Sequence, residues 1–172
     1  MVFESQRDYV ATLEKMGQLK TIEGASCDLE IGAITEVAAF RKQCPAVLFD
    51  FIKGFSKGYR VLTNFISNRL RERMVFGVSS DLTDPEAVLY WKNRLKEFAP
   101  IDPVEVKDGP VKQNVLLGND VDLTRFPWPK WHQRDGGPHA EINSLHVHLQ
   151  DAVPLFLGQL FEVFVVNEPG GG

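Results

Sequence analysis

The chain has 172 residues, 44% of them hydrophobic and 24% charged, which is ordinary for one good-sized globular domain or a domain with an appendage. Its formal net charge of −4 gives no support for nucleic-acid or anionic-membrane binding. Two cysteines, Cys27 and Cys44, cannot make a disulfide framework; they suit a reducing compartment and read as small buried hydrophobes. The opening MVFESQRDYV has no basic segment followed by an apolar run, so no signal peptide is visible and the expected location is cytoplasmic.

Ser5 is a natural N-cap for a first helix with Tyr9, Val10, Leu13 and Met16 on one face and Gly17 as its stop. Leu19 to Ile22 is of strand type. Asp28 is the expected cap of a second helix turning Ile31, Ile34, Val37 and Ala38 inward and ending near Gln43, because Pro45 cannot continue it. Two strands follow, Ala46 to Phe51 and Tyr59 to Thr63, separated by a loop holding Gly54 and Gly58. Ser67 or Asn68 then opens a third helix that closes at Gly77.

Asp84-Pro85, with Thr83 and Glu86 at capping-box spacing, begins a fourth helix. Its Val88, Trp91, Leu95 and Phe98 repeat at three- and four-residue steps and should form a core-facing seam, with Pro100 and Pro103 beyond the end. Val104 to Val106 and Val115 to Leu117 read as strands around an Asp108-Gly109-Pro110 turn. Alternating helices and strands favour an α/β layered domain over residues 1–117.

Residues 118–137 include the most informative stretch, DVDLTRFPWPKWHQRDGG from Asp120. Pro127 and Pro129 force extended backbone before them, and Asp135, Gly136 and Gly137 supply a tight turn. Trp128 and Trp131 must bury their rings, so the stretch predicts a stiff connector crossing from one packing unit to the next. In the remaining part, 138–172, Ser144, His146, His148 and Gln150 alternate with Leu145, Val147 and Leu149, a half-buried strand. The run 152–166, AVPLFLGQLFEVFVV, is too short and too interrupted for a membrane span; it belongs in a core or an interface, and tilts toward strand.

Five pieces in order resemble the start of a UbiD-like carboxy-lyase, the family of prenylated-flavin-dependent decarboxylases. They are Gly17-Gln18-Leu19, Asp28-Leu29-Glu30-Ile31, AVLFDFIKGF, VLTNFISNRLRERMVFGV and VDLTRFPWPKWHQRDGG. The resemblance implies an N-terminal α/β domain leading into the first strands of a split β-barrel-like flavin domain. It implies prenylated FMN with a divalent metal (Mn2+ or Mg2+) and K+, and aromatic or α,β-unsaturated carboxylic acids as substrates. It also implies homo- or hetero-oligomers. Loss of CO2 from an sp2 carbon leaves a carbanion that no side chain can absorb, which is why such chemistry needs a cofactor. The sequence departs from the family after Gly137, where His139, Glu141 and Asn143 stand in place of its usual aromatic and small residues. No catalytic or cofactor-binding residue carries over. The expectation is therefore an N-terminal portion, catalytically incomplete alone: either a truncated copy, or one piece of a split decarboxylase whose partner is the remainder.

Other candidate sites have bland rivals. His146 and His148, two apart on one strand face, can present two imidazoles to Zn2+, Mn2+ or Fe2+, with His139 and Glu141 completing the set; a solvated strand face is the commoner arrangement. Arg69, Arg71 and Arg73 suit a phosphate or carboxylate, or a solvated face paired with Glu72 and nearby acids. His132 suits catalysis, or a hydrogen bond at a domain junction. Asp135 serves the turn. A non-catalytic assembly module, with 152–166 as its sticky surface, is the rival from outside enzymology.

Overall fold

Ser5 opens the first helix as its chemistry requires. In the computed structural model, which describes residues 3, 5–109, 112–113, 115–135 and 164–167, its side chain accepts from the Asp8 amide at 3.2 Å. Helix α1 (Gln6–Lys15) buries Tyr9 and Leu13, and Gly17 at φ 64° turns the chain into strand β1 (Leu19–Glu23). Helix α2 (Glu30–Ala39) departs from expectation at both ends and in its buried face. Leu29 at φ 67°, not Asp28, is the N-cap, and the helix stops at Ala39. Ile31, Gly32 and Thr35 face inward, while Val37 is 58% exposed. Of the expected Ile31-Ile34-Val37-Ala38 stripe, Ile31 is buried and Ile34 and Ala38 pack partly buried against the same core, so only Val37 falls outside it. The fold widens the buried face to Gly32 and Thr35, because a buried hydroxyl there has a partner and a glycine there admits another backbone.

Strands β2 (Ala46–Asp50) and β3 (Tyr59–Thr63) fall where their apolar runs lie. Asn68 caps helix α3 (Arg69–Val75) by accepting from the Arg71 amide at 2.9 Å, and Gly77 at φ 64° ends it. In helix α4 (Asp84–Lys96), Glu86 accepts from the Thr83 amide and hydroxyl, both at 2.7 Å, so Thr83 rather than Asp84 is the N-cap.

The sheet runs β1-β2-β3-β4, with β4 spanning Phe164–Asn167. β1 and β2 are parallel and joined through α2; β2–β3 and β3–β4 are antiparallel. Side chains alternate across the sheet. Leu48 and Leu62 meet Tyr9, Leu13 and Phe65 on the α1 side; Val47, Phe49 and Val61 meet Ala25, Ile31 and Ile52 on the α2 side. The architecture is mixed α/β, with a helical layer on each face. Of the apolar run 152–166, residues 164–166 lie in β4, beside β3; the expected split-barrel strands after Gly137 lie outside the described residues.

Two expectations fail. The segments 104–106 and 115–117 are not strands but exposed, unladdered chain. Segments of only three residues offer too few ladder bonds to fix a strand. The α4 seam is not core either: Val88, Trp91, Leu95 and Phe98 are 67%, 37%, 65% and 68% exposed. Among the described residues Trp91 has an edge contact with Phe76, ring centroids 6.3 Å apart. Periodicity shows which face of a helix seeks burial, not what buries it.

Candidate functional site

The proline-tryptophan stretch seats itself on the mouth of α2. Lys130 donates its amide to the Cys27 carbonyl at 2.8 Å, and Leu29 donates to the Lys130 carbonyl at 3.0 Å, a short parallel bridge centred on Asp28. Pro127 and Pro129 are buried, and Phe126 stands edge-on to Tyr59 at 5.9 Å. The Trp131 backbone lies against Gly32, where a Cβ would come within 2.7 Å of its carbonyl oxygen. Asp135 closes the following turn: its carboxylate accepts from the Trp131 amide at 2.8 Å, and its own amide donates to the His132 carbonyl at 3.0 Å. His132 Nε2 lies 2.7 Å from Glu36 Oε1, the hydrogen-bonded arrangement expected of a junction histidine.

The three arginines of α3 do not form a solvated face. Arg71 is wholly buried and engages four acceptors: the carbonyls of Phe65, Asn64 and Cys44 and the Gln18 side-chain oxygen, at 3.1 Å for Phe65 and Gln18 and 2.8 Å for Asn64. Tyr9 donates its hydroxyl to the same Phe65 carbonyl. Burial pulls the Arg71 guanidinium below its ordinary pKa, opposed by Tyr9 and Cys44. Arg73 is buried too and, with the exposed Arg69, holds Asp84 at 2.7 and 3.3 Å; Arg73 lies 4.0 Å from Glu72. Pairing with nearby acids was legible in the sequence. Burial was not, because alternating Arg-x-Arg-x-Arg looks like a water-facing pattern.

Burial also pushes the Tyr9 phenol up to about 12 and the Cys27 thiol up to about 11. Both folded pKa values exceed the ordinary values of 10.0 and 9.0 that hold in the unfolded chain. Below those ordinary values folded and unfolded chains alike hold the proton, and the contribution is fully present. Above them the unfolded chain ionises first, so stability falls as pH rises through each folded value. Urea midpoints should therefore hold to about pH 9 and drop toward pH 12, Tyr9 accounting for a loss on the order of 2 kcal/mol. A Tyr9→Phe variant that lost stability at the same rate would count against this source.

On the opposite face, Thr35 and Thr63 share a buried hydroxyl–hydroxyl bond of 2.9 Å, and Asn64, at φ 52°, donates its amide to the Thr35 carbonyl at 2.9 Å. Thr35→Val keeps the shape but orphans the Thr63 hydroxyl, so a loss of about 1–2 kcal/mol is expected in urea denaturation. Beside this cluster, α2 and the β1–β2 surface bound a trough of about 690 Å³. Its walls are apolar, including Ile22, Ile34, Val37 and Val47, and Lys20, Arg41 and Lys42 also line it.

His139, Glu141, His146 and His148 lie outside the described residues. Among the described residues no three His, Cys, Asp or Glu side chains gather to hold a metal, and no helix is long and apolar enough to cross a membrane. Nor do these residues fit a prenylated FMN. Its phosphate would need free buried cations or a cradle of amides, yet Arg71 is consumed by backbone carbonyls and Arg73 by Asp84.

Comparison with known proteins gives the class. Residues 10–88 match the 3-octaprenyl-4-hydroxybenzoate carboxy-lyase N-terminal domain, and residues 103–152 match the Rift-related domain of the same carboxy-lyase. The chain belongs to the UbiD-like decarboxylase family and corresponds to its N-terminal portion. It is 33% identical over 148 residues to the pyrrole-2-carboxylic acid decarboxylase of Pseudomonas aeruginosa, covering 82% of this chain and 30% of that protein. The vanillic acid decarboxylase of Sedimentibacter hydroxybenzoicus is similar in structure. Its closed form superposes with a TM-score of 0.66 at 27% identity, and an open form with 0.62 at 28%, each over 79% of this chain and 29% of that one. The chain thus spans about 30% of the length of the curated relative it matches. The match runs past Gly137 to residue 152, so the segment LHVHLQ belongs to it despite its altered residues.

Proposed function

We propose that this chain is the N-terminal platform of a UbiD-like non-oxidative carboxy-lyase acting on aromatic or α,β-unsaturated carboxylic acids. The supporting observation is the order of the two family matches, N-terminal domain then Rift-related domain, along one continuous sequence. We divide it as an α/β domain over 1–117, a connector over 118–137 and a β segment over 138–172. Within that division the connector does positioning work: residues 127–132 lock onto the α2 N-terminus and so set where the chain leaves the α/β layer. Prenylated FMN, its Mn2+ or Mg2+ and K+ would be held by residues beyond those described, and His146 and His148 remain candidate metal ligands. Two unpaired cysteines suit a cytoplasmic setting.

A partner follows from the same proposal. One solved structure of the similar vanillic acid decarboxylase is an open form with a truncated ShVdcD component. The test is to purify this chain with prenylated FMN, alone and co-expressed with a polypeptide carrying the rest of a UbiD-like protein. Flavin absorbance and CO2 release should appear only in the complex. A complementing polypeptide that never co-purifies, or that restores neither signal, would remove the proposal. The exposed α4 seam favours a second reading, a non-catalytic assembly module. A sharp monomer in sedimentation that binds no apolar dye would dismiss it.

A further inference from the structure

We propose that the trough between α2 and the β1–β2 surface is a binding site for an amphipathic monocarboxylate. Ile22, Ile34, Val37 and Val47 form an apolar bed, and its volume of about 690 Å³ falls within the range that holds a ligand of drug-like size. Lys20 from β1 and Arg41 and Lys42 from the turn after α2 bring three positive charges to the same trough. Among the described residues none of these three side chains has an ion-pair or hydrogen-bond partner. In a chain of net charge −4, three cations without partners among the described residues, beside an apolar wall, are complementary to one kind of molecule: an apolar body with an anionic head.

The helix narrows the head group. α2 lines the trough along its flank from Ala33 to Ala38, and Arg41 and Lys42 follow its C-terminal end, where they partly answer a helix dipole that works against an anion beside them. A doubly charged phosphate suffers more from it than a single carboxylate, and no cradle of free amides is there to compensate. Lys20 sits on a strand, outside the reach of the dipole argument, and a carboxylate bridging it to Arg41 would use a cation the helix does not need. This inference is separate from the decarboxylase proposal, which assigns no role to the trough.

The test is calorimetric titration of the full chain with dodecanoate below its micelle concentration, with 1-dodecanol and dodecyltrimethylammonium as head-group controls. Dodecanoate should bind saturably at one equivalent, with the alcohol about tenfold weaker or worse and the cation not binding. Lys20→Gln, and separately Arg41→Gln with Lys42→Gln, should each weaken dodecanoate about tenfold while leaving the alcohol unchanged. All three side chains are exposed, so circular dichroism should report an intact fold. Absence of saturation, equal affinity for acid and alcohol, or indifference to both variants would overturn the proposal. So would self-association in sedimentation that the same substitutions abolish, which would put a second copy of the chain in the trough.

Discussion

Arg71→Ala is expected to be the most damaging single substitution in this chain, lowering stability by about 3–5 kcal/mol, a large part of the 5–15 kcal/mol that holds a domain of this size. The guanidinium joins α1 and β1 through Gln18, β2 through the Cys44 carbonyl, and the β3–α3 turn through the Asn64 and Phe65 carbonyls. Alanine takes one donor from each of four acceptors, of which the Phe65 carbonyl keeps Tyr9 and the Gln18 oxygen keeps Asn68, and it leaves a cavity where Arg71 lies among the largest fully buried side chains. Arg71→Lys keeps the charge but concentrates three donors at one point, so it cannot span the same acceptors; about half the loss should remain. The measurement is the urea midpoint at neutral pH. An alanine variant within about 1 kcal/mol of the parent would show that the hub is not what joins these elements.

Gly32→Ala comes second and acts elsewhere. On an exposed helix the change would stabilise by about 1 kcal/mol through helix propensity. Here the new methyl would meet the Trp131 carbonyl oxygen at 2.7 Å, its Cα at 2.8 Å and its carbonyl carbon at 3.1 Å, all of them backbone atoms. Relief requires moving the connector, which breaks the Lys130–Cys27 and Leu29–Lys130 bonds. A net loss of about 1–3 kcal/mol is expected, confined to that seat. Tryptophan emission should shift to the red, and trypsin should cut faster at Lys130 and Arg134, while the sheet unfolds at nearly its original urea concentration. Unchanged cleavage would mean that the connector is not seated on α2.

How much was legible varies element by element. Ser5, Gly17 and Gly77 could be assigned their roles unaided, and the third helix cap was narrowed to Ser67 or Asn68, because a cap or a positive-φ stop is satisfied by its own neighbours in sequence. The apolar runs at β2 and β3 were equally plain. Arg71 was missed: its side chain is charged, and the acceptors that make burial tolerable come from residues 6 to 53 positions away. Thr35 was missed for the same reason, its partner Thr63 lying 28 positions on. The family motifs were legible as far as Gly137, where His139, Glu141 and Asn143 replaced the residues that would have signalled the continuation to 152.

Local chemistry alone determined the α/β class and the positions of four helices and three strands, while kinship with the carboxy-lyases was carried by the resemblance of five motifs in order. Helix caps, proline and apolar periodicity act over a few residues, so they can be read without knowing what packs against what. Only the tertiary structure decided that Gly32 and Thr35 join the buried face of α2, that Arg71 is wholly buried, and that the proline-tryptophan stretch binds back onto Gly32. Each of those depends on a distant hydrogen-bond partner or on space left by an absent side chain, and no short window of sequence records either.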